Sequence, residues 1–299
     1  RLENKGEVVV KDIDGKDTTY SAKHIIIAVG GKARELPGLE VDDDKIIEYR
    51  KAMTLEQLPK KLVIMGSGAI GSEFAYFYST MGTDVTLVEY MDRILPASDK
   101  DVSRELAKSF KKRGINLMTS AKVSKAEKTD KGVKISIETK KGEEVIEADK
   151  LLSAVGVVAH TEGIGLDKIG IEVEKGLIQT DGFKRTNVEG YYAIGDCTPG
   201  AALAHKASAE AILCVEAIAG HDVEPIDHGN VPACTYTQPE VAQVGYTEEE
   251  AKAAGYELKV GKFPFSASGK AKAAGKAEGF VKVIFDAKYG EFLGAHMIG

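Results

Sequence analysis

The chain has 299 residues, long enough for two or three domains, and its 43% hydrophobic and 29% charged residues are the balance of an ordinary soluble globular protein. A formal net charge of −6 at pH 7 gives no basic footprint for nucleic acid, and no apolar run approaches the roughly 18 residues that a membrane span needs. Cys197, Cys214 and Cys234 are too scattered for a disulfide framework and show no metal-ligand spacing with the histidines, so each reads as a small buried hydrophobe in a reducing compartment, the cytoplasm or an organelle matrix.

Lys5–Gly31 begins with alternating apolar residues, turns at Gly15, and ends in His24–Ile27 followed by Ala28, Val29 and Gly30. This predicts a two-stranded antiparallel hairpin and then a buried strand. The same order of features recurs at Lys131–Gly156, with a turn at Gly142, a strand at Lys150–Ser153 and a second Ala-Val-Gly. Two unrelated hairpins with common turn chemistry would account for the pieces. Duplication of a whole nucleotide-binding unit accounts better for their order.

Between the two copies lies Leu62–Tyr90. Leu62, Val63, Ile64 and Met65 form a continuous apolar run, as a parallel strand buried on both faces should. Gly66, Gly68 and Gly71 follow at G-x-G-x-x-G spacing. The first permits a tight turn, the second lets the backbone approach a pyrophosphate, and the third lets the helix pack on the strand. Gly66, Ser67, Gly68, Ala69, Ile70, Gly71 and Ser72 are therefore candidate dinucleotide contacts, with phosphates at the positive end of the helix. The alternative is a turn that merely packs well. Gly82 ends the helix, Val85, Leu87 and Val88 rebuild a strand, and Glu89 falls about 20 residues past the glycines, where a carboxylate accepts ribose hydroxyls. Such an acid repels a 2′-phosphate, and Tyr90, Met91 and Asp92 separate it from Arg93. NAD is thus expected over NADP.

Further along, Val102, Leu106 and Phe110 recur every four residues, which predicts a helix over Asp99–Arg113 capped by Ser98 or Asp99 and ended by Gly114. Ile115–Thr119 and Ala121–Val123 return as strand. Tyr191–Ile194 is a short strand ending in Gly195-Asp196, with a helix starting near Ala202. Unaided, Gly-Asp there is a turn with a helper carboxylate, His205 a capping or surface histidine, and Glu73 a surface acid matching the helix dipole.

Taken together, Ile25–Gly38, Ile64–Ala75, Val85–Glu89, Tyr191–Ala211, Tyr236–Glu257, Phe263–Asp286 and Gly290–Gly299 give the chain a resemblance to the flavin- and NAD-dependent pyridine nucleotide–disulfide oxidoreductases, over essentially its whole length. The resemblance implies an α/β fold of duplicated Rossmann-like FAD- and NAD(P)-binding domains with antiparallel inserts, plus the start of an α+β dimerisation domain. Residues 1–59 would be the C-terminal part of the first FAD-domain segment and 60–184 the NAD-binding domain. Residues 185–228 would return to the FAD domain, and 229–299 would be a partial interface domain with antiparallel strands at Phe280–Phe285 and Glu291–Ile298.

By the same resemblance, Asp196 bonds the ribityl chain of FAD, and Ala202, Leu203, Ala204 and His205 present a helix N-terminus to the flavin. That placement is physically sensible, because reduced flavin carries negative charge that a helix N-terminus stabilises. Only backbone donors are needed, so Ala202 in place of the family's frequent Met is expected to be tolerated. Val29, Gly30 and Gly31 match the turn that closes over FAD, although Val and Gly replace a usual Thr and Ser. Glu73 is expected to face the nicotinamide, Val123 to pack on the adenine, and Gly156 to lie near the nicotinamide, with Val157 where the family carries a basic residue.

The activity so implied is oxidation of protein-bound dihydrolipoamide, with electrons passing through an enzyme disulfide and FAD to NAD. The implied partners are a lipoyl-bearing protein of a 2-oxoacid dehydrogenase or glycine cleavage complex and a second copy of the chain, with no nucleic acid or membrane partner. Glutathione, mercuric and trypanothione reductases share the architecture but prefer NADP. A nucleotide-binding module without catalysis, such as a redox sensor, is the rival from another class. The family's Cys-x4-Cys pair is expected upstream of Arg1 and its His–Glu dyad beyond Gly299. The chain thus reads as an internal fragment with no catalytic residue and no metal site, expected to be colourless, inactive and weakly self-associating by itself.

Overall fold

A computed structural model describes residues 1–299. The chain forms two compact units, Arg1–Lys32 with Val157–Val231, and Ala33–Gly156 with Pro232–Gly299. These limits differ from the boundaries at 59 and 184 read from sequence, for a local reason at each place. Ile46–Ile47 pairs in parallel with Lys150–Ser153 and so draws residues 33–59 into the second unit. Leu166, Ile169, Ile171 and Ile178 pack with Ile25, Ile27 and Tyr191, which draws residues 157–184 into the first.

The second unit is built on a five-stranded parallel sheet in the order Ile46–Ile47, Lys150–Ser153, Lys61–Met65, Asp84–Val88, Asn116–Met118. Leu62, Val63 and Ile64 are each 0% exposed, as their unbroken apolar run requires. The helix Ala69–Thr80 turns Ala75 and Tyr78 inward, and the Tyr78 hydroxyl donates to the Ala52 carbonyl at 2.6 Å. The helix Lys100–Lys112 is capped by Asp99, whose carboxylate accepts the Asp101 N–H, and it buries Val102, Leu106 and Phe110 completely. Burying such a stripe stabilises by about 1.5–3 kcal/mol per side chain.

An antiparallel insert of Lys122–Thr129, Gly132–Thr139 and Gly142–Ala148 follows, with Val133, Ile135 and Ile137 buried at alternate positions. The unit is completed by a five-stranded antiparallel sheet in the order Ala233–Thr235, Val241–Gly245, Phe292–Ile298, Phe280–Asp286, Leu258–Pro264. Val241, Phe280 and Ile298 from that sheet join the same core as Tyr78 and Phe110.

In the first unit the expected hairpin is present, with Glu7–Lys11 antiparallel to Asp17–Ser21. The strand after it, Ile25–Ile27, runs parallel to Tyr191–Ala193. The helix Ala204–Ile218 packs beneath. Its Glu210 is fully buried and holds two lysines, Lys184 at 2.8 Å and Lys206 at 3.2 Å, while its other oxygen accepts the Gly195 N–H at 2.7 Å. Each unit therefore places a parallel strand after an antiparallel hairpin, the order that the internal repeat predicts.

Candidate functional site

In open parallel sheets, ligands bind in a crevice outside the carboxyl ends of the strands. In the second unit this crevice lies beyond Met65 and Val88, which are register partners. Gly66 has a φ of 96°, and a Cβ on it would lie 2.4 Å from the Ala154 carbonyl oxygen. A Cβ on Gly71 would lie 1.9 Å from the Gly66 carbonyl oxygen. Close packing of turn, strand and helix thus demands both glycines. Gly68 is different: it is exposed, and a Cβ there would meet nothing within 4 Å. The space that a side chain would fill is open to a ligand, beside a helix whose first-turn N–H groups have no intrahelical partner.

Gly66, Ser67, Gly68, Glu89, Val123 and Gly156 line one groove of about 530 Å³. Glu89 is 7% exposed and held from two sides. Its Oε2 accepts the Ser67 N–H at 2.8 Å and the Ser67 hydroxyl at 2.7 Å, and its Oε1 accepts the Met91 N–H at 2.8 Å. Val123 supplies an apolar surface in the same groove.

Ala69, Ile70, Gly71, Ser72 and Glu73 are not among the residues that line this groove. Gly71 and Ser72 are buried behind the turn, and the Ser72 hydroxyl donates to the Ser67 carbonyl at 3.0 Å, so both shape the site without lining it. Glu73 accepts the Tyr236 N–H at 2.8 Å and lines a hollow of about 430 Å³ with Phe74 and Phe77. Burial pushes its carboxyl above the usual range, and the Tyr236 N–H only partly opposes this. Ala69 and Ile70 form the start of the first turn of the helix. Sequence reading missed Arg34, Leu36, Pro96 and Lys122, which line the groove as well. Arg34 is brought there by its N–H, which donates to the Gly156 carbonyl at 3.0 Å.

The first unit has a matching edge. Ile25–Ile27 and Tyr191–Ala193 are in parallel register, so the Val29–Gly31 turn and the Gly195–Asp196 turn emerge side by side. Gly30 has a φ of 68°, and its carbonyl accepts the His160 N–H at 2.9 Å. A Cβ on Gly31 would sit 2.5 Å from Val157 Cγ1 and 3.4 Å from Asp196 Cβ. Both departures from the family pattern, Gly for Ser at 31 and Val for a basic residue at 157, are thus in mutual contact, and the branched valine fills what a serine would need. Leu203 caps the helix Ala204–Ile218 without a side-chain hydrogen bond, and its own N–H donates to the Ala201 carbonyl at 3.0 Å. Burial pushes the Cys197 thiol up, so it is no ready thiolate. No cluster of His, Cys, Asp and Glu is placed to hold a metal ion.

Residues 2–211 match the profile of the pyridine nucleotide-disulphide oxidoreductases. The chain belongs to this family. Residues 231–299 match the dimerisation domain of the pyridine nucleotide-disulphide oxidoreductases. Among curated relatives, a dihydrolipoyl dehydrogenase of Rhizobium etli is 50% identical over 291 residues, which cover 97% of this chain and 60% of that protein. A dihydrolipoyl dehydrogenase of Zymomonas mobilis is 46% identical over 301 residues, covering 100% and 65%. LpdA from Mycobacterium tuberculosis, a solved structure, superposes with a TM-score of 0.89 at 30% identity, over 97% of this chain and 63% of LpdA. The chain therefore spans less than two thirds of the length of these relatives.

Proposed function

We propose that the groove of the second unit binds NAD and that the paired turns of the first unit form one wall of an FAD site. The whole protein would be a flavoprotein that oxidises protein-bound dihydrolipoamide and delivers the electrons to NAD. The observation that supports this reading best is the buried Glu89 at the end of a strand–glycine turn–helix–strand unit, in a chain 46–50% identical to dihydrolipoyl dehydrogenases.

The chain's own residues bind and orient. The pyrophosphate would meet the open side of Gly68 and the first-turn N–H groups of Ala69 and Ile70, with Arg34 and Lys122 adding positive charge to the groove. Val123 offers the adenine an apolar face, and Glu89 accepts a ribose hydroxyl. In the other unit, Asp196 would hold the ribityl chain and the N-terminus of helix Ala204–Ile218 would face the flavin. FAD, when bound, supplies the two-electron relay between a dithiol and NAD. Cys197, Cys214 and Cys234 form no Cys-x4-Cys pair, so none of them would supply the dithiol. The partners would be a lipoyl-bearing protein of a 2-oxoacid dehydrogenase complex and a second copy of this chain joined through residues 231–299. The compartment would be the cytoplasm or an organelle matrix.

Calorimetric titration of the chain with NAD and with NADP tests the reading. NAD is expected to bind more tightly, and Glu89→Arg to narrow or reverse the preference by exchanging a repulsive group for a phosphate partner. Equal or tighter NADP binding to the unaltered chain would overturn it.

A further inference from the structure

We propose that Ser67 is a specificity-determining residue of the groove, because it fixes the Glu89 carboxylate where a 2′-phosphate would have to meet it. The inference rests on the dinucleotide reading above. The Gly-x-Gly turn asks only that the middle residue be small. Here that residue is fully buried and each of its polar groups is engaged. Its N–H and hydroxyl both donate to Glu89 Oε2, and its carbonyl accepts the Leu95 N–H at 2.9 Å and the Ser72 hydroxyl at 3.0 Å.

A carboxylate offers about four acceptor positions. Ser67 occupies those of Oε2, and the Met91 N–H takes one of Oε1, which leaves one for an incoming hydroxyl. A ribose 2′-OH can donate there. A 2′-phosphate dianion has no proton to give and brings like charge against a group that cannot withdraw, since withdrawal breaks three hydrogen bonds in a buried place. The point matters because Arg34 and Lys122 line the same groove and would otherwise receive a phosphate well. Discrimination then depends on Glu89 staying where it is, and Ser67 supplies two of its three anchors.

The test is calorimetric titration of the 299-residue chain and its Ser67→Ala variant with NAD and with NADP. The expected result is that the NAD/NADP affinity ratio narrows on the order of tenfold, the worth of one hydrogen bond to a carboxylate, chiefly through tighter NADP binding. A variant that weakens both dinucleotides by the same factor, or leaves the ratio unchanged, would overturn the role, because a purely structural residue would behave in that way. If circular dichroism shows that Ser67→Ala does not fold, Ser67→Gly removes the same hydroxyl without adding an atom, and the same ratio is read. An unaltered chain that binds neither dinucleotide overturns the dinucleotide reading and this inference together. An unaltered chain that prefers NAD beside a variant with the same preference overturns this inference alone.

Discussion

The Cβ position of Gly71 lies 1.9 Å from the carbonyl oxygen of Gly66, whereas that of Gly68, between them in sequence, faces open space. One motif therefore contains glycines that the packing demands and a glycine that it does not, and the two kinds separate by experiment. Gly71→Ala is expected to cost stability by at least the 1–3 kcal/mol typical of overpacking, since backbone and not a flexible side chain is in the way. Gly68→Ala should melt within about 1 kcal/mol of the unaltered chain and yet lose NAD affinity by tenfold or more. Thermal melts and NAD titrations of both variants check this. A Gly68→Ala chain that keeps full affinity would remove the pyrophosphate from that face.

Lys282 is the second site to probe. It is 2% exposed, and its ammonium donates to both oxygens of Asp99 at 3.0 Å, to Asp101 at 3.2 Å and to Glu248 at 2.7 Å. Burial alone would lower its pKa, but Glu248 and Asp99 more than offset this and raise it. Burial works against ionised Asp101, yet Lys282 holds it below the usual carboxylate range; Glu248 is held low by Lys252 and then by Lys282. Groups with depressed pKa values contribute stability that is present above about pH 4 and is lost as pH falls through their folded values; the raised lysine contributes below about pH 10.5 and loses its share as pH rises past that. Lys282→Met should therefore destabilise by about 3–5 kcal/mol at neutral pH, because buried Asp99 loses its ammonium partner while Asp101 and Glu248 keep only Arg104, Lys262 and Lys252 nearer the surface. The gap to the unaltered chain should shrink below about pH 4, as Asp101 and Glu248 become protonated. Denaturant melts across pH 3–8 measure the gap, and a constant gap would contradict the mechanism.

Glu210 is the counterpart in the first unit, one buried acid between two buried lysines. Burial pushes its pKa up, but Lys184, the Gly195 N–H and Lys206 together bring it below the ordinary value. Glu210→Leu would take the carboxylate from Lys184, from the Gly195 N–H and from Lys206, which keeps only the Gly195 carbonyl at 3.3 Å, at a cost of about 3–5 kcal/mol. Hydrogen exchange should show the Gly195–Thr198 turn loosening before the sheet does. A variant with native protection in that turn would show that the acid does not hold it.

The contact between Gly31 and Val157 calls for a double-mutant cycle. Gly31→Ser alone should destabilise by about 1–3 kcal/mol, because its Cβ would lie 2.5 Å from a valine methyl. In a Val157→Ala background the same serine should cost much less, with a coupling energy of about 0.5–3 kcal/mol. Additive costs in the cycle would show that the two positions are independent.

Local sequence made the glycine turn, its helix and Glu89 legible, because spacing, periodicity and the closing acid all lie within Leu62–Glu89. The helix read at Asp99–Arg113 is observed at Lys100–Lys112. Val123 and Gly156 could be placed only through family resemblance, since nothing in their own neighbourhoods points to a groove. Arg34 was invisible, because it reaches the site through a backbone pairing with a residue far along the chain. The partner of Glu73 was invisible for a related reason, being the backbone of Tyr236, which no pattern advertises. Lys282 left half a signal, a charge in register with Phe280 and Ile284 on the buried face of a strand. Such a charge has to be paired, but the sequence does not say that Asp99, Asp101 and Glu248 are the partners.

The second unit is discontinuous in sequence, with residues 157–231 intervening between its two parts. Its core joins Tyr78 and Phe110 to Val241, Phe280 and Ile298. During synthesis the half of this unit that carries the glycine turn must therefore wait, with part of its apolar surface still wet, until the strand Phe292–Ile298 has been made. Closing so long a loop costs little extra free energy, but non-local pairings of this kind form slowly. Substitutions near Ile298 should accordingly be felt as failures of the nucleotide site to mature, far from the residues changed.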